Sequence, residues 1–119
     1  MSFLNVPEID VRELARKLQS DDESFVLMDV REAWELDQAM IVDSRLKVMP
    51  TSRLAQLGSE ALPENVQDKN TEILVLCHHG ARSAQVAQWL LTRGWTNVFS
   101  VRGGIDDYAK RIDASVGKY

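Results

Sequence analysis

The chain alternates between short apolar runs and longer segments in which apolar residues recur at helical spacing or follow helix-start signals. Short apolar runs that contain β-branched residues predict buried strands. They lie at 25–30 (FVLMDV), 45–49 (RLKVM), 73–77 (ILVLC) and 97–101 (NVFSV), and a further candidate lies at 3–7 (FLNVP). The segments between them predict helices at 11–18, 31–39, 50–57, 81–93 and 105–112.

Strands that alternate with helices predict an α/β fold, here a mostly parallel sheet with helices on both of its faces. The first helix has an additional local signal, because Asp10 followed by Glu13 forms the pattern of a capping box. A length of 119 residues suits one domain with a single modest core. No internal repeat, low-complexity tract or linker interrupts the sequence, so we expect residues 1–119 to form a single domain.

Composition and charge narrow the classes of function. The formal net charge is −4, whereas binding the phosphates of nucleic acid requires a basic face, so we expect no nucleic-acid partner. No apolar run is long enough to span a bilayer, and the first ten residues lack the features of a signal peptide. We therefore expect a cytoplasmic protein with no membrane partner. The single cysteine allows no internal disulfide and would stay reduced in that compartment.

The single cysteine, Cys77, ends the strongest predicted strand and is followed at once by HHGARS (78–83). Functional sites of open α/β sheets gather at the carboxyl ends of strands. The helix predicted from residue 81 would point its free N–H groups and its positive dipole end at this loop, which favours a thiolate. Arg82 adds a permanent cation, and Gly80 lets the backbone turn so that successive N–H groups face inward. The loop therefore predicts a nucleophile in a cradle for a negatively charged group.

Two other interpretations of this loop are weaker. A lone cysteine is usually a small, inert core residue. An inert core cysteine would not need the cluster of hydrogen-bond donors in residues 78–83 that follows Cys77. The pair His78 and His79 raises the alternative of a metal site. Neighbouring residues in a tight loop rarely converge on one ion, however, and the chain has no third histidine. We therefore expect neither a metal nor another cofactor.

Three segments resemble the rhodanese-homology domain, a family of sulfurtransferases. The loop CHHGARS (77–83) closely matches the active loop of that family. DVREAWE (29–35) resembles its upstream D-V-R-E-x-x-E signature, and VRGGIDDY (101–108) is similar to its closing G-G stretch. The segments occur in the order of the family, and the resemblance spans about residues 9–119. It implies a five-stranded parallel sheet between helices and a persulfide on Cys77 as the reaction intermediate.

The resemblance also implies roles for individual residues. Cys77 would be the nucleophile, and Asp29, Arg31 and Glu35 would brace the site. The remaining residues of the loop would bind the sulfur donor. These are His78, His79, Gly80, Ala81, Arg82 and Ser83.

Two of these residues have a second interpretation from the sequence. The carboxylate of Asp29, at the end of a predicted strand, either braces the site through hydrogen bonds or a pair with Arg82, or is simply solvated. Ser83 either caps the helix that follows the loop or lines the cradle. Both alternatives stay open without a structure.

The chain departs from the family in two places. After the DVRE segment the family usually has G-H-I-x-G-A and then a proline, whereas residues 39–44 read AMIVDS and Pro50 comes later. Only Ile41 clearly matches, so we expect one wall near the site to differ in shape. Tyr108 stands where the family usually has tryptophan.

The length of the loop separates sulfur transfer from related chemistry. Cysteine phosphatases and arsenate reductases use a similar cradle, typically with five residues between the cysteine and the arginine. Here four residues separate Cys77 from Arg82. A shorter ring of N–H groups is a poorer fit for a tetrahedral phosphate, and it suits a single sulfur atom held on the cysteine.

The sequence therefore predicts a sulfurtransferase that moves sulfane sulfur from a donor such as thiosulfate to a thiophilic acceptor through a persulfide on Cys77. The acceptor would be cyanide in the test tube and a thiol, such as that of a sulfur-accepting protein, in the cell. Covalent transfer in two steps predicts ping-pong kinetics. Two alternatives remain. One is a non-catalytic binding or regulatory module of the same fold, and the other is a cysteine phosphatase or arsenate reductase, which the loop length disfavours.

Overall fold

A parallel sheet of five strands forms the centre of the computed structural model, which describes residues 6–119. The strands are β1 (Glu8–Ile9), β2 (Phe25–Asp29), β3 (Leu46–Val48), β4 (Glu72–Leu76) and β5 (Val98–Val101). They lie in the order β1-β5-β4-β2-β3, and every pair of neighbours is parallel. The prediction of a five-stranded, mostly parallel sheet is therefore confirmed.

The first strand lies later than the sequence predicts. Of the expected run at 3–7, residues 3–5 lie outside the described part of the chain, and the next two residues precede the strand. Pro7 has no N–H to donate, but its carbonyl accepts a hydrogen bond from Ser100 N at 2.9 Å. Regular pairing with β5 then begins one residue later, where Glu8 lies opposite Ser100.

Five α-helices alternate with the strands: α1 (Val11–Gln19), α2 (Ala33–Leu36), α3 (Thr51–Leu57), α4 (Ala81–Thr92) and α5 (Gly104–Arg111). The described residues also contain three short 3₁₀ helices: Gly58–Ala61, Glu64–Val66 and Ala114–Val116. The capping box predicted for α1 is present. Asp10 accepts a hydrogen bond from Glu13 N at 2.9 Å, and Glu13 accepts one from Asp10 N at 3.3 Å. Between residues 6 and 119, no helix has the length and apolar character needed to cross a membrane.

Helix α2 is shorter than the predicted segment 31–39. The helix ends at Leu36, and the residues that follow pair with another part of the chain. Met40 N donates to Val116 O at 2.8 Å, and Ala39 pairs with Gly117 in an antiparallel bridge. A contact with a distant part of the sequence therefore accompanies the end of the helix, and no local pattern could have predicted it.

The helices cover both faces of the sheet, as predicted. Because successive strand residues face opposite sides, Phe25 and Leu27 of β2 lie in one buried apolar cluster and Val26 and Met28 lie in another. The first cluster also contains residues of α1 and α5, and the second contains residues of α3 and α4. Each face of the sheet thus packs against its own pair of helices, as parallel sheets require.

Three strand ends meet at the edge of the sheet where the candidate loop lies. The strand β4 lies between β2 and β5. Since all strands are parallel, Val30 after β2, Cys77 after β4 and Arg102 after β5 leave the sheet at the same edge. The fold therefore brings together the three segments on which the resemblance rests.

Candidate active site

The thiol of Cys77 is almost fully enclosed by the loop, with 1% of the residue exposed. The N–H of Gly80 donates to its Sγ atom at 3.0 Å, and the hydroxyl oxygen of Ser83 lies 3.4 Å from the same sulfur. Ser83 is buried and does not cap α4, whose N-cap is Gly80. Of the two interpretations of Ser83, lining the cradle is the one that fits its position.

Helix α4 begins beside the thiol. It starts at Ala81, and its first internal hydrogen bond runs from Ala84 N to Gly80 O. The N–H groups of residues 81–83 are therefore not used inside the helix. They place positive partial charge next to Cys77, in addition to the direct hydrogen bond from Gly80.

Helix α5 holds the outer side of the loop. Ile105 N donates to the carbonyl of Cys77 at 2.9 Å, and Asp106 N donates to the carbonyl of His78 at 3.1 Å. Because these two carbonyl groups point toward α5, the N–H groups that follow can face the sulfur. Gly80 completes the turn with a φ of +111°, a conformation that favours glycine.

Gly104 lies where the loop and α5 touch, and its replacement tests this packing. A Cβ on Gly104 would fall on the carbonyl groups of Cys77 and His78, and the residue has a φ of +63°. Gly58 has nearly the same φ, +64°, with open space where its Cβ would lie. We expect Gly58→Ala to lower the free energy of unfolding by about 1–2 kcal/mol through backbone strain alone. Gly104→Ala should cost about 2 kcal/mol more, because overpacking is added to the same strain.

Denaturant unfolding of the two variants measures this difference directly. Gly58→Ala is the control, since it changes the same residue type at nearly the same φ but in open space. Nearly equal losses for the two variants would contradict the tight packing of the loop against α5.

A second serine supports Ser83 from the sheet, and it was not predicted from the sequence. The hydroxyl oxygens of Ser83 and Ser100 lie 2.7 Å apart, and both residues are completely buried. Ser83 Oγ also lies 3.1 Å from Gly80 O, so its single proton can point to that carbonyl or to the sulfur. With Cys77 as a thiol, Sγ donates to Ser83 Oγ and Ser83 donates to Gly80 O, so Ser83 can donate to the sulfur only when Cys77 is a thiolate. Strand alternation predicts at most that Ser100 is buried, not what it contacts.

Asp29 and Arg31 form a completely buried ion pair at the end of β2. Arg31 donates through Nε to Asp29 Oδ1 at 2.9 Å and through Nη2 to Oδ2 at 2.7 Å. The backbone N–H of Arg31 also donates to Oδ1, at 3.1 Å. Solvation of Asp29 is therefore wrong, and so is its pairing with Arg82, because the neighbouring Arg31 satisfies the carboxylate first.

Arg82 pairs with Glu35 instead, in a two-pronged arrangement. It donates through Nη1 to Oε2 and through Nη2 to Oε1, each at 2.7 Å. These bonds lower the pKa of Glu35 from 4.5 to about 2, and they raise the pKa of Arg82. The sequence suggests a free cation at the end of the loop, whereas the guanidinium is occupied because the buried Glu35 requires a partner.

The Glu35–Arg82 pair predicts a loss of stability in acid. The pKa of Glu35 is 4.5 in the unfolded chain and about 2 in the folded protein. As the pH falls through this range, the unfolded chain binds more protons than the folded protein, which favours unfolding. We expect the wild type to lose up to about 3 kcal/mol of unfolding free energy on this account. Glu35→Gln should remove that part of the pH dependence. Denaturant unfolding between neutral and acid pH measures it, and parallel curves for the two proteins would contradict the prediction.

His78 and His79 have different surroundings although they are neighbours in sequence. The ring of His78 is stacked between those of His79 and Tyr119, at centroid distances of 3.9 Å and 3.8 Å. Burial lowers the pKa of His78, and the nearby His79 lowers it further. The side chain of His79 is 65% exposed and lies 3.6 Å from Asp106. At neutral pH, His78 therefore adds no positive charge to the loop.

His78, His79 and Asp106 are the group of described residues whose ligand atoms could surround a metal ion, all within 4.8 Å of one another. The two rings are stacked with an angle of 29° between their planes, so their in-plane nitrogen lone pairs do not converge on one point. Asp106 is also paired with Lys110 at 3.0 Å. These contacts disfavour an ion, and the absence of a metal stays a prediction.

Tyr119 is the other residue that sequence reasoning missed. Besides stacking on His78, its hydroxyl accepts a hydrogen bond from Arg31 and donates one to Glu35. It is far from these residues in sequence and belongs to none of the three matching segments, so no motif or spacing could have marked it.

Comparison with known proteins places these residues in a family context. A family model described as "Rhodanese-like domain" matches residues 10–111. The chain is 39% identical over 119 residues to the rhodanese-like/PpiC domain-containing protein 12, chloroplastic, of Arabidopsis thaliana, covering 96% of this chain but only 38% of that protein. It is 32% identical over 107 residues to a sulfurtransferase of Allochromatium vinosum, covering 88% of this chain and 90% of the relative.

The fold is also similar to solved structures. The crystal structure of SSP1007 from Staphylococcus saprophyticus matches with a TM-score of 0.71 and 25% sequence identity. The match covers 90% of this chain and 97% of that one. The parallel sheet with its two helical layers is therefore shared along almost the whole length of both chains.

Proposed function

The chain belongs to the rhodanese-like domain family, and on that premise we propose that it is a sulfurtransferase that carries sulfane sulfur on Cys77. The observation that carries the proposal is the enclosed thiol, whose sulfur accepts a hydrogen bond from Gly80 N at 3.0 Å at the start of α4. The Allochromatium vinosum relative is named a sulfurtransferase, which supports the same class of reaction. As the donor we propose thiosulfate, a dianion with an outer sulfur small enough for a short loop.

The first step loads sulfur onto Cys77. Its thiolate attacks the outer sulfur of thiosulfate, and a new S–S bond forms. The S–S bond of thiosulfate breaks, and sulfite leaves with the electron pair of that bond. The resulting persulfide anion receives hydrogen bonds from the loop N–H groups at the start of α4 and is stabilised by the helix dipole.

The second step removes the outer sulfur. Cyanide, or the thiolate of an acceptor, attacks this sulfur and forms a bond to it. The S–S bond of the persulfide breaks, and its electron pair returns to Cys77 as the thiolate. Two displacements on one nucleophile give covalent catalysis with ping-pong kinetics.

Other residues of the site act through position and electrostatics. With its guanidinium held by Glu35, Arg82 frames the loop, and because the carboxylate offsets its charge, it contributes to donor binding through its position rather than through a two-pronged contact. Once Cys77 is an anion, its sulfur no longer donates to Ser83. The buried Ser83 hydroxyl, 2.7 Å from that of Ser100, can then turn from Gly80 O to donate to the sulfur. The pair of Asp29 and Arg31 anchors the segment that carries Glu35.

A phosphatase is less well supported. Its leaving oxygen needs a proton from a general acid. Asp106 is a carboxylate next to the loop, but its hydrogen bond with Lys110 lowers its pKa, so it is ionised at neutral pH. Together with the four-residue spacing between Cys77 and Arg82, this favours sulfur transfer over phosphate chemistry.

Intact-mass measurement tests the proposal. Incubation with thiosulfate should add the mass of one sulfur atom and release sulfite. Cyanide should then restore the original mass and release thiocyanate. No mass gain with thiosulfate or polysulfide would overturn the proposal and leave the binding-module interpretation. Hydrolysis of aryl phosphates faster than sulfur transfer would instead favour the phosphatase.

A further inference from the structure

Tyr119 connects the two charged pairs of the site. Its hydroxyl accepts a hydrogen bond from Arg31 Nη1 at 3.1 Å and donates one to Glu35 Oε1 at 2.9 Å. Its ring lies flat on that of His78, with 3.8 Å between the centroids and 7° between the planes. One side chain therefore contacts the β2 end, helix α2 and the loop that carries Cys77.

The hydrogen bonds of the Glu35 carboxylate are complete only when Tyr119 is included. Oε2 accepts from Arg82 at 2.7 Å and from the N–H of Glu32 at 2.9 Å. Oε1 accepts from Arg82 at 2.7 Å and from the hydroxyl of Tyr119 at 2.9 Å. A carboxylate offers about four acceptor positions, so Tyr119 supplies the fourth donor. With all four in use, Glu35 has one orientation, and the guanidinium of Arg82 is fixed with it.

The ring of Tyr119 also determines the state of His78. It covers one face of the imidazole while His79 covers the other, and the Nε2 atom of His78 is buried with no hydrogen-bond partner. The ionisable groups that face His78 are His79 in the loop, Asp106 on α5 and Glu35 on α2, and the Tyr119 backbone lies nearby. Removing the Tyr119 ring would expose the imidazole to water.

We propose that Tyr119 is a positioning residue of the sulfurtransferase site, whose hydroxyl orients Glu35 and Arg82 and whose ring holds His78 against the Cys77 loop. The inference rests on the proposed function for its kinetic part. Its structural part concerns the hydrogen bond of Tyr119 to Glu35 and the stacking of Tyr119 on His78. Each contact can be followed by a titration that needs no enzymatic turnover.

Two variants separate the hydroxyl from the ring. Tyr119→Phe keeps the stack on His78 and removes both hydrogen bonds, whereas Tyr119→Leu removes both features. Tyr108→Phe is the matched control, since Tyr108 is a buried tyrosine of α5 that is neither among the hydrogen-bond donors to Glu35 nor among the rings stacked on His78 in the described residues. NMR follows the Glu35 carboxyl and the His78 ring against pH, and steady-state assays give KM for thiosulfate and kcat.

In Tyr119→Phe the pKa of Glu35 should rise from about 2, because one hydrogen bond that lowers it is lost, while the titration of His78 stays as in the wild type. KM for thiosulfate should rise about fivefold to tenfold, with a smaller change in kcat. This is less than the full value of a hydrogen bond to a charged group, because the lost bond positions Arg82 through Glu35 and does not contact thiosulfate. In Tyr119→Leu the pKa of His78 should also rise toward its ordinary value, since burial no longer lowers it. Tyr108→Phe should leave all four quantities unchanged.

Unchanged Glu35 titration and unchanged KM in Tyr119→Phe would overturn the proposal. So would a change of KM in Tyr108→Phe as large as in Tyr119→Phe, because the effect would then be general to buried tyrosines. If Tyr119→Leu does not fold, Tyr119→Phe still decides the role of the hydroxyl. A wild type that moves no sulfur would refute the proposed function, whereas the two NMR titrations would still test the contacts of Tyr119.

Discussion

Replacing Cys77 with serine is expected to abolish sulfur uptake and to reduce turnover to the background rate. A serine hydroxyl stays protonated at neutral pH and cannot carry a persulfide, and the chain has no second cysteine to substitute for it. The fold should persist, because the Gly80 N–H that donates to Sγ can donate to a serine oxygen at the same place. We expect a loss of no more than about 1 kcal/mol in the free energy of unfolding. Intact mass after thiosulfate, thiocyanate production and thermal unfolding measure the three effects.

A chemical control accompanies this variant. Wild-type protein alkylated at its single cysteine should lose sulfur uptake in the same way, with no change of sequence. If Cys77→Ser still gained sulfur or released thiocyanate at the wild-type rate, the nucleophile would have to be another group. If it lost activity only through unfolding, Cys77→Ala would repeat the test without a buried hydroxyl.

Replacing Arg31 with methionine is expected to destabilise the protein by about 3–5 kcal/mol. The change leaves the carboxylate of Asp29 completely buried and without its charged partner. It also removes the hydrogen bond from Arg31 to Tyr119. Denaturant unfolding at neutral pH measures the loss, and sulfur uptake should fall with it because the β2 end no longer holds the segment of Glu35.

Two comparisons show whether the loss comes from the buried charge. Arg111→Met breaks an exposed ion pair with Asp107 on α5 and should cost far less than Arg31→Met, because solvent screens that pair. The double variant Asp29→Asn, Arg31→Met removes both charges and should be more stable than Arg31→Met alone. If the double variant is instead less stable than Arg31→Met alone, the buried charge of Asp29 is not the cause of the loss.

Local patterns predicted the elements of the fold well. The apolar runs at 73–77 and 97–101 are strands within about one residue at each end, and Asp10 and Glu13 form the expected capping box. These elements depend on nearby residues, because strand burial, helix spacing and capping act over a few positions. The parallel arrangement followed from the alternation of strands and helices.

Contacts between distant residues were not predictable in the same way. The sequence allowed an ion pair between Asp29 and Arg82, and this pairing is wrong. The sequence could not show that Arg31 already binds the carboxylate of Asp29. Tyr119 and Ser100 were missed since each meets the site only after the chain has folded. No spacing rule connects such positions.

The unusual segment 39–44 illustrates the same limit. From the resemblance, its changed residues were expected to alter a wall near the site. In the structure, Met40, Val42 and Asp43 line a cavity of about 370 Å³ together with Tyr108 of α5. The two departures from the family thus lie side by side in space, although neither predicts the other in sequence.

The position of β4 in the middle of the sheet affects how long a reactive sulfur could survive. The outermost strands are short, with two residues in β1 and three in β3, and partial unfolding usually begins at such edges. The strand before Cys77 is paired on both sides, so fraying of an edge leaves the loop closed. Amide hydrogens of β4 should accordingly exchange only when the whole domain opens. A persulfide held there would keep its hydrogen bonds to the loop while the edges fray, so its exposure to reactants would depend on the folded loop and not on edge fluctuations.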